Sequence, residues 1–334
     1  MKKSFSLLVK ILVTVAILVF LFFKVNFNTT GFWDTLMGID LPIYLLSLFG
    51  VVFVLGIKSY RWKILISNEG YNYKAYRAFG AYMSSDAIGI VTPGRIGEIS
   101  RLYYVRQETD IPFFQAFKTI VSDRIFDFTM LGWFGVSGVT YYLKTFGDLP
   151  GTLYVLIVLG CIVVGYIVGM KLLGFFVRKK WLARWQIPLF IYDCFRAVVS
   201  KRFVAMWLIT IVAYIAYFFF SWLIMLSLRV KPEMTDVAFI MSLMSLSTIL
   251  PISIAGFGTR EATLVFLFAR YGFSSEIAVS FSLLHFTAFF LWGGLIGLFY
   301  WLTMPISLQQ VKDDSLLIFK LFKLQPKESG DKAS

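Results

Sequence analysis

Six long runs of apolar residues constrain the fold of this chain more than any other feature. The runs are 7–23, 41–57, 128–143, 152–168, 203–228 and 277–304. A helix needs roughly 20 apolar residues to cross the hydrocarbon of a bilayer, and each run comes near that length. A buried helix of a soluble protein could account for one such run, but not for six. We therefore expect an all-α, polytopic transmembrane helical bundle with about six spans.

Composition supports this class and excludes several functions. Hydrophobic residues make up 58% of the chain and charged residues only 15%, whereas a soluble domain is typically about 25% charged. The single histidine, His285, excludes the multi-histidine sites of hydrolytic metalloenzymes. Two cysteines offer no disulfide framework. We expect no metal and no cofactor.

Lysine and arginine are distributed unevenly between the predicted loops. One group follows the second run and comprises Lys58, Arg61, Lys63, Lys74 and Arg77. A larger group lies between the fourth and fifth runs. Because cytoplasmic loops carry the Lys/Arg excess, both termini are predicted to be cytoplasmic, in the cell (inner) membrane. The prediction is one transmembrane domain, 1–311, with halves 1–143 and 152–304, and a cytoplasmic tail, 312–334. Nucleic-acid binding is the weaker interpretation of the +13 charge, since no soluble basic module carries it.

Two segments, 78–105 and 236–270, fit the spanning pattern worst because proline and glycine interrupt them. The interrupting residues are Pro93, Gly94 and Gly97 in the first and Pro251, Gly256 and Gly258 in the second. Proline removes a backbone donor, and glycine permits the turn that follows. Both segments are predicted to be broken or re-entrant hairpins. Their corresponding positions in two opposed halves indicate an inverted repeat and a transporter site. The alternative is a pair of ordinary interhelical loops.

Charged residues accompany both breaks. The candidate substrate-binding residues are Asp86, Arg95, Glu98, Arg101, Asp123, Arg124, Asp127, Arg260 and Glu261. A guanidinium can bind a phosphate through two hydrogen bonds, and ionisable groups at membrane depth mark substrate or ion paths. The alternatives remain open. Asp123, Arg124 and Asp127 could form only an ion pair within one helix, Asp86 could have a structural partner such as Arg124, and His285 is expected to be hydrogen-bonded to a neighbouring helix rather than catalytic.

Three motifs in order resemble the lysylphosphatidylglycerol synthase transmembrane region family, also described as flippase-like. They are Thr92-Pro93-Gly94-Arg95-Ile96-Gly97-Glu98 with Arg101, then Asp123-Arg124 with Asp127, then 250–261. The resemblance covers nearly the whole chain and implies a module that moves lipids between leaflets. We expect the chain to lack the soluble aminoacyl-transferase domain of the bifunctional members, so lysyl transfer is not expected.

The function predicted from these features is transport without catalysis. The substrate would be an anionic phospholipid or a polyprenyl-phosphate-linked lipid, and a lipid-modifying enzyme is a possible partner. A membrane-embedded transferase or phosphatase acting on a lipid-linked substrate is the alternative, and a scaffold for a partner enzyme is the third. No nucleic acid is expected as a partner.

Overall fold

The structure, a computed structural model, describes residues 28–147, 202–249 and 258–304, with isolated positions between 150 and 194. The first apolar run, most of the fourth, the tail 312–334 and the stretch 250–257, with Pro251 and Gly256, lie outside the described residues. Within them, every regular element is helical. The α-helices are α1 (Thr29–Met37), α2 (Leu41–Ser47), α3 (Phe49–Asn68), α4 (Ala75–Val91), α5 (Arg101–Glu108), α6 (Phe113–Phe146), α7 (Phe203–Ser227), α8 (Met234–Ile249), α9 (Thr259–Arg270), α10 (Ser275–Phe286) and α11 (Trp292–Thr303).

Two short segments of other helical types join these elements. A 3₁₀ helix, Pro93–Ser100, lies between α4 and α5, and a π-helical turn, Thr287–Leu291, joins α10 to α11. Three continuous stretches of the described chain are long and apolar enough to cross a membrane: Leu41–Asn68, Val204–Ser227 and Ser275–Thr303. The all-α membrane bundle predicted from the sequence is thus confirmed, while the number of spans stays a prediction.

The second and third apolar runs differ from the prediction in where their helices begin and end. The second run is divided at Leu48 into α2 and α3, and α3 continues to Asn68. Lys58, Arg61 and Lys63 therefore lie in a helix, and assigning them to a loop was wrong. The third run, 128–143, is the second half of the much longer α6. Charged residues thus enter the bundle on helices, where carboxylates neutralise two of these three cations.

The order of elements is the same in the two halves of the described chain. Each half has a long helix, a helix that ends at a break, a short helix and a second long helix. In the first half these are α3, α4, α5 and α6, and in the second half α7, α8, α9 and α10 with its continuation into α11. Separate hydrophobic clusters hold them, one centred on α3 to α6 and the other on α7 to α10.

Both broken segments fold back on themselves as hairpins. In the first, called here the first hairpin (α4, the 3₁₀ helix and α5), Arg77 near the start pairs with Glu108 at the end, with 3.3 Å between Nε and Oε1. In the second hairpin (α8 and α9), Asp236 near the start interacts electrostatically with Tyr271, directly after the end. The open end of each hairpin, its base, carries polar contacts, and the opposite end of the first hairpin, its tip, is the 3₁₀ helix.

Helix α6 shows that the hairpins approach from opposite ends. The base of the first hairpin adjoins the start of α6, because α6 begins shortly after Glu108. The base of the second adjoins its far end, where the Tyr141 hydroxyl donates to Asp236 at 3.0 Å. From there α8 runs antiparallel to α6, with Phe239 stacked on Tyr141 and Leu246 against Gly135. The tip of the first hairpin and the end of α8 therefore point toward each other along α6.

Small residues allow the closest approaches between these helices. A Cβ on Gly297 of α11 would lie 2.3 Å from the carbonyl oxygen of Met83 and 2.6 Å from the Cβ of Ala87, both on α4. A Cβ on Gly135 of α6 would lie 2.3 Å from Leu246. The contact at Gly297 is with backbone and tolerates no side chain, so glycine is needed for α4 to pack on α11, whereas at Gly135 the side chain of Leu246 would have to move.

Candidate functional site

The tip of the first hairpin is a tightly constrained piece of backbone. Its 3₁₀ helix starts at Pro93, whose ring suits the first helical position. Arg95 follows with φ of +56°, a left-handed conformation that is rare for a residue with a side chain. Gly97 packs against α4 so closely that a Cβ would lie 2.6 Å from the Ile88 carbonyl oxygen, and its N–H donates to the Thr92 hydroxyl at 2.8 Å. Backbone strain of this kind collects at functional sites.

Nine charged side chains meet between this tip, α3 and α6, and they are called here the ion network. Its cations are Lys58, Arg61, Arg95, Arg101 and Arg124, and its carboxylates are Asp86, Glu98, Asp123 and Asp127. Every member is joined to the others through ion pairs. The structure thus brings together seven residues predicted from the sequence and adds Lys58 and Arg61.

Asp123 lies at the buried centre of the ion network and is fully inaccessible. Its Oδ1 accepts from Arg61 Nε at 2.8 Å, and its Oδ2 accepts from Arg101 Nη1 and the Tyr82 hydroxyl, each at 2.9 Å. One turn further along α6, Asp127 accepts from Arg61 Nη2 at 3.0 Å and pairs with Lys58 at 3.2 Å. The four-residue spacing does place both acids on one helical face, as the sequence predicts.

The tip residues form the outer part of the ion network. Arg95 pairs with Asp86 and, with 2.7 Å between Nε and Oε1, with Glu98. Glu98 also pairs with Arg124, with 2.8 Å between Oε2 and Nη1. The ion-pair partner of Asp86 is therefore Arg95, and the suggested structural partner Arg124 bonds Glu98 instead. Arg124 also lies 3.4 Å from Asp127 on its own helix, so the intrahelical pair considered above exists within a larger network.

The ion network carries one excess positive charge and spare donors. Five cations face four carboxylates, which leaves a net charge of +1. Arg124 Nε and two nitrogens of Arg101 are buried without a hydrogen-bond acceptor among the described residues. Arg101 is otherwise held by the ring of Tyr82, 4.5 Å from its guanidinium carbon. Unlike the buried Arg61 and Arg101, Arg95 has a side chain that is 47% exposed. The ion network is therefore accessible from the protein surface at Arg95, on the tip of the first hairpin.

The second hairpin carries a smaller and neutral group. Glu261 Oε2 accepts from the N–H of Gly258, whose φ is +85°, at 2.7 Å. Its Oε1 accepts from Arg260 Nη2 at 2.6 Å and from the Ser282 hydroxyl at 2.8 Å. Both oxygens of Glu261 are thus occupied in capping the first turn of α9 and in balancing Arg260. Arg260 also lies over the ring of Phe286, 5.3 Å from its centre.

His285 is buried among aromatic rings. It stacks on Phe289 with 4.7 Å between ring centres, and Tyr217 and Phe281 lie at 5.7 and 5.8 Å. The expected hydrogen bond to a neighbouring helix is not found, because neither ring nitrogen has a partner among the described residues. Two residues further along, the helix widens into the π-helical turn.

Lys58, Arg61 and Tyr82 are the site residues that sequence reasoning missed. Lys58 and Arg61 were counted as loop charges, although their three-residue spacing places them on one face of a helix. Asp123 and Asp127 provide a matching acidic face on α6. This complementarity between two helices was the signal that could have identified them. Within the described residues, no group of three or more His, Cys, Asp or Glu could hold a metal ion.

A comparison with protein families identifies the chain. Residues 7–297 match the family described as the lysylphosphatidylglycerol synthase TM region. The chain belongs to this family. It is also 26% identical over 252 residues to a UPF0104 membrane protein of Methanocaldococcus jannaschii, an alignment that covers 68% of this chain and 74% of the relative. No solved structure matches the chain. The family resemblance inferred from the three motifs is therefore confirmed. The prediction of a multi-pass membrane protein is confirmed as well.

Proposed function

We propose that this protein moves a phosphate-bearing lipid between the leaflets of the membrane and that the ion network binds the phosphate. The observation that carries the proposal is the buried network with net charge +1 that opens at Arg95. An uncompensated charge is expensive at membrane depth. A monoanionic phosphodiester would balance it, and the spare guanidinium donors suit phosphate oxygens.

The geometry of the hairpins supports a transport mechanism. With α6 as a spanning helix, the first hairpin re-enters the membrane from the side on which α6 starts. The second hairpin re-enters it from the side on which α6 ends. Because the distribution of basic residues predicts that both termini are cytoplasmic, we place the base of the first hairpin at the cytoplasmic surface as well. Asp127 and Gly135 are separated by about 12 Å along α6, so the tip of the first hairpin and the end of α8 approach each other near mid-membrane. Irregular backbone there requires protein or a watery cavity around it.

In this mechanism the head group binds beside the internal ion pairs. The incoming phosphate contacts the exposed side of Arg95 and balances the excess charge, while Asp86 and Glu98 keep their pairing with Arg95 and the acyl or prenyl chains stay in the bilayer. Movement of one hairpin relative to the other then exposes the head group to the other leaflet. Arg260 and Glu261 hold the second hairpin in shape rather than touching the lipid. A lipid-modifying enzyme that supplies or consumes the lipid is the expected partner, and no chemical step by this chain is required.

The test compares two arginines in reconstituted vesicles. Arg95 and Arg229 are the non-glycine residues with positive φ in the described chain, and both are exposed. Arg229 follows α7 and lies outside the ion network. Full-length wild type, Arg95→Gln and Arg229→Gln are reconstituted with fluorescent phosphatidylglycerol or a fluorescent polyprenyl phosphate. Dithionite, which bleaches only the outer leaflet, then reports the rate of transfer between leaflets.

We expect Arg95→Gln to slow transfer about tenfold or more, because a charge-assisted hydrogen bond contributes about 1.5–3 kcal/mol. Arg229→Gln, which removes the same charge from the same backbone conformation, should transfer at the wild-type rate. Wild-type transfer by correctly folded Arg95→Gln would refute the assignment of the site. Metal-dependent turnover of the polyprenyl phosphate, with no transfer between leaflets, would favour an enzyme over a transporter.

A further inference from the structure

A polar cavity lies at the base of the first hairpin, at the opposite end of α4 from the ion network. Its volume is about 330 Å³, and its lining residues are Asn72, Tyr73, Lys74, Tyr76, Arg77 and Glu108. Ala75 at the start of α4 is about 24 Å from Val91 at its end, so this cavity is distinct from the ion network proposed above to bind phosphate.

The start of α4, whose residues line this cavity, has backbone donors without a side-chain cap. The helix is 17 residues long, has no side-chain cap and carries no acidic residue in its first turn. Its first N–H groups therefore lack the usual intrahelical or capping acceptors. Such a helix start attracts anions, since the N–H groups and the helix dipole both favour negative charge.

The hydroxyl of Tyr73 is a second and independent indication of a ligand. Tyr73 is only 2% exposed, lines the cavity, and its oxygen has no hydrogen-bond partner among the described residues. Its ring is held edge-on by Trp62, with 5.8 Å between ring centres. Burial raises the pKa of Tyr73, so the hydroxyl keeps its proton and remains a donor. A buried donor without an acceptor costs about 1–3 kcal/mol unless a ligand satisfies it.

The charges around the cavity also favour an anion. Arg77 and Glu108 neutralise each other across the base of the hairpin, and Arg77 lies over the ring of Tyr76 at 5.4 Å. Lys74 is exposed and forms no ion pair with a described residue, which leaves one positive charge at the cavity. Tyr76 is 61% exposed, as is common for tyrosine at the head-group level of a membrane.

We infer that this cavity binds a phosphate group, presented by a phospholipid head group at the membrane surface. The N–H groups at the start of α4 and the Tyr73 hydroxyl donate to the phosphate oxygens, and Lys74 balances the charge. Free phosphate offers the same chemistry, and the experiment separates the two sources. The inference does not depend on transport, because none of these residues belongs to the ion network.

Calorimetric titration of the purified full-length chain in neutral detergent tests the inference. The probes are dioctanoyl-phosphatidylglycerol, inorganic phosphate, and dioctanoylglycerol, which has the same chains without phosphate. The variants are Lys74→Gln and Tyr73→Phe. Lys63→Gln is the matched charge control, since Lys63 lies on α3 outside the cavity, and Arg95→Gln removes the proposed transport site. Each variant is first shown to elute as a single folded species.

We expect phosphatidylglycerol, but not dioctanoylglycerol, to bind a site that Lys74→Gln weakens about tenfold and Tyr73→Phe several-fold. Lys63→Gln and Arg95→Gln should leave this site unchanged. Binding of inorganic phosphate with the same sensitivity to Lys74→Gln would show that the phosphate group alone suffices. Wild-type affinity in both Lys74→Gln and Tyr73→Phe, equal weakening by Lys63→Gln, or no binding by the wild type would overturn the inference. Failure of the transport proposal would appear separately, as unchanged transfer in Arg95→Gln.

Discussion

Replacing Asp123 by asparagine tests whether the ion network is also a structural centre of the protein. Asp123 is fully buried and accepts hydrogen bonds from Arg61, Arg101 and Tyr82. The asparagine side chain would keep one acceptor oxygen, but its amide group would direct N–H donors at groups that are themselves donors. The substitution also removes one of four carboxylates, so that the net charge of the network rises from +1 to +2.

The expected cost follows from burial and pairing. Removing one partner from a buried ion pair costs about 3–5 kcal/mol, because an unpaired charge stays buried. Folded proteins are stable by only about 5–15 kcal/mol, so Asp123→Asn should remove a large part of the stability. Asp110→Asn is the control, since Asp110 is exposed in the loop before α6, and such substitutions usually change stability by no more than about 0.5 kcal/mol.

Titration with dodecyl sulfate in mixed micelles, followed by tryptophan fluorescence, measures the free energy of unfolding. A second substitution, Arg101→Met, is then added to Asp123→Asn. It restores the net charge of +1 and leaves a flexible apolar side chain against the rings of Trp62 and Tyr82. We expect the double variant to lose less unfolding free energy than the two single variants lose together, by about 1–3 kcal/mol. A loss below about 1 kcal/mol for Asp123→Asn, or simple additivity in the double variant, would refute the reasoning.

Two further predictions concern packing. Gly297→Ala should sharply reduce the amount of folded protein in size-exclusion chromatography, since its Cβ would meet the Met83 backbone at 2.3 Å. Gly132→Ala, with nothing within 4 Å, should behave as wild type. Equal yields of the two variants would show that α4 and α11 can separate freely. His285→Leu should leave the free energy of unfolding unchanged or raise it, because both ring nitrogens are buried without partners among the described residues. A loss of more than about 2 kcal/mol in the same dodecyl sulfate titration would show that the imidazole has a stabilising role.

The sequence predicted the class of fold well, for a physical reason. Long apolar runs in a chain with few charges have few alternatives to membrane helices, and Pro93 marks the point where α4 ends and the 3₁₀ helix begins. The ends of the helices were predicted less well. Run length does not show that α3 continues from 57 to Asn68, because charged side chains can enter a bundle when partners on another helix neutralise them.

The sequence predicted which residues form the candidate site better than it predicted how they are arranged. Seven of the nine charges in the ion network were identified from motifs and spacing, yet Lys58 and Arg61 were interpreted as topology signals. Their role depends on α3 packing against α6, which is a tertiary contact that no local pattern encodes. The pairing of Arg95 with Asp86 depends likewise on the 3₁₀ helix folding back onto α4.

The two hairpins share an order of elements but differ in whether their charged residues join the ion network. The first hairpin contributes two cations and two carboxylates to the ion network, whose excess charge lies on α3 and α6. In the second hairpin, Arg260 and Glu261 neutralise each other without joining the network. The second half reaches the network through α7, where Thr210 accepts from Arg61 at 2.9 Å and Tyr214 donates to the Asp127 carbonyl oxygen at 3.1 Å. Both halves therefore contact the one ion network. In the proposed mechanism, a head group bound at Arg95 stays with the first hairpin and its partners on α3 and α6, while the second hairpin moves, because moving the neutral pair of Arg260 and Glu261 requires no separation of charge.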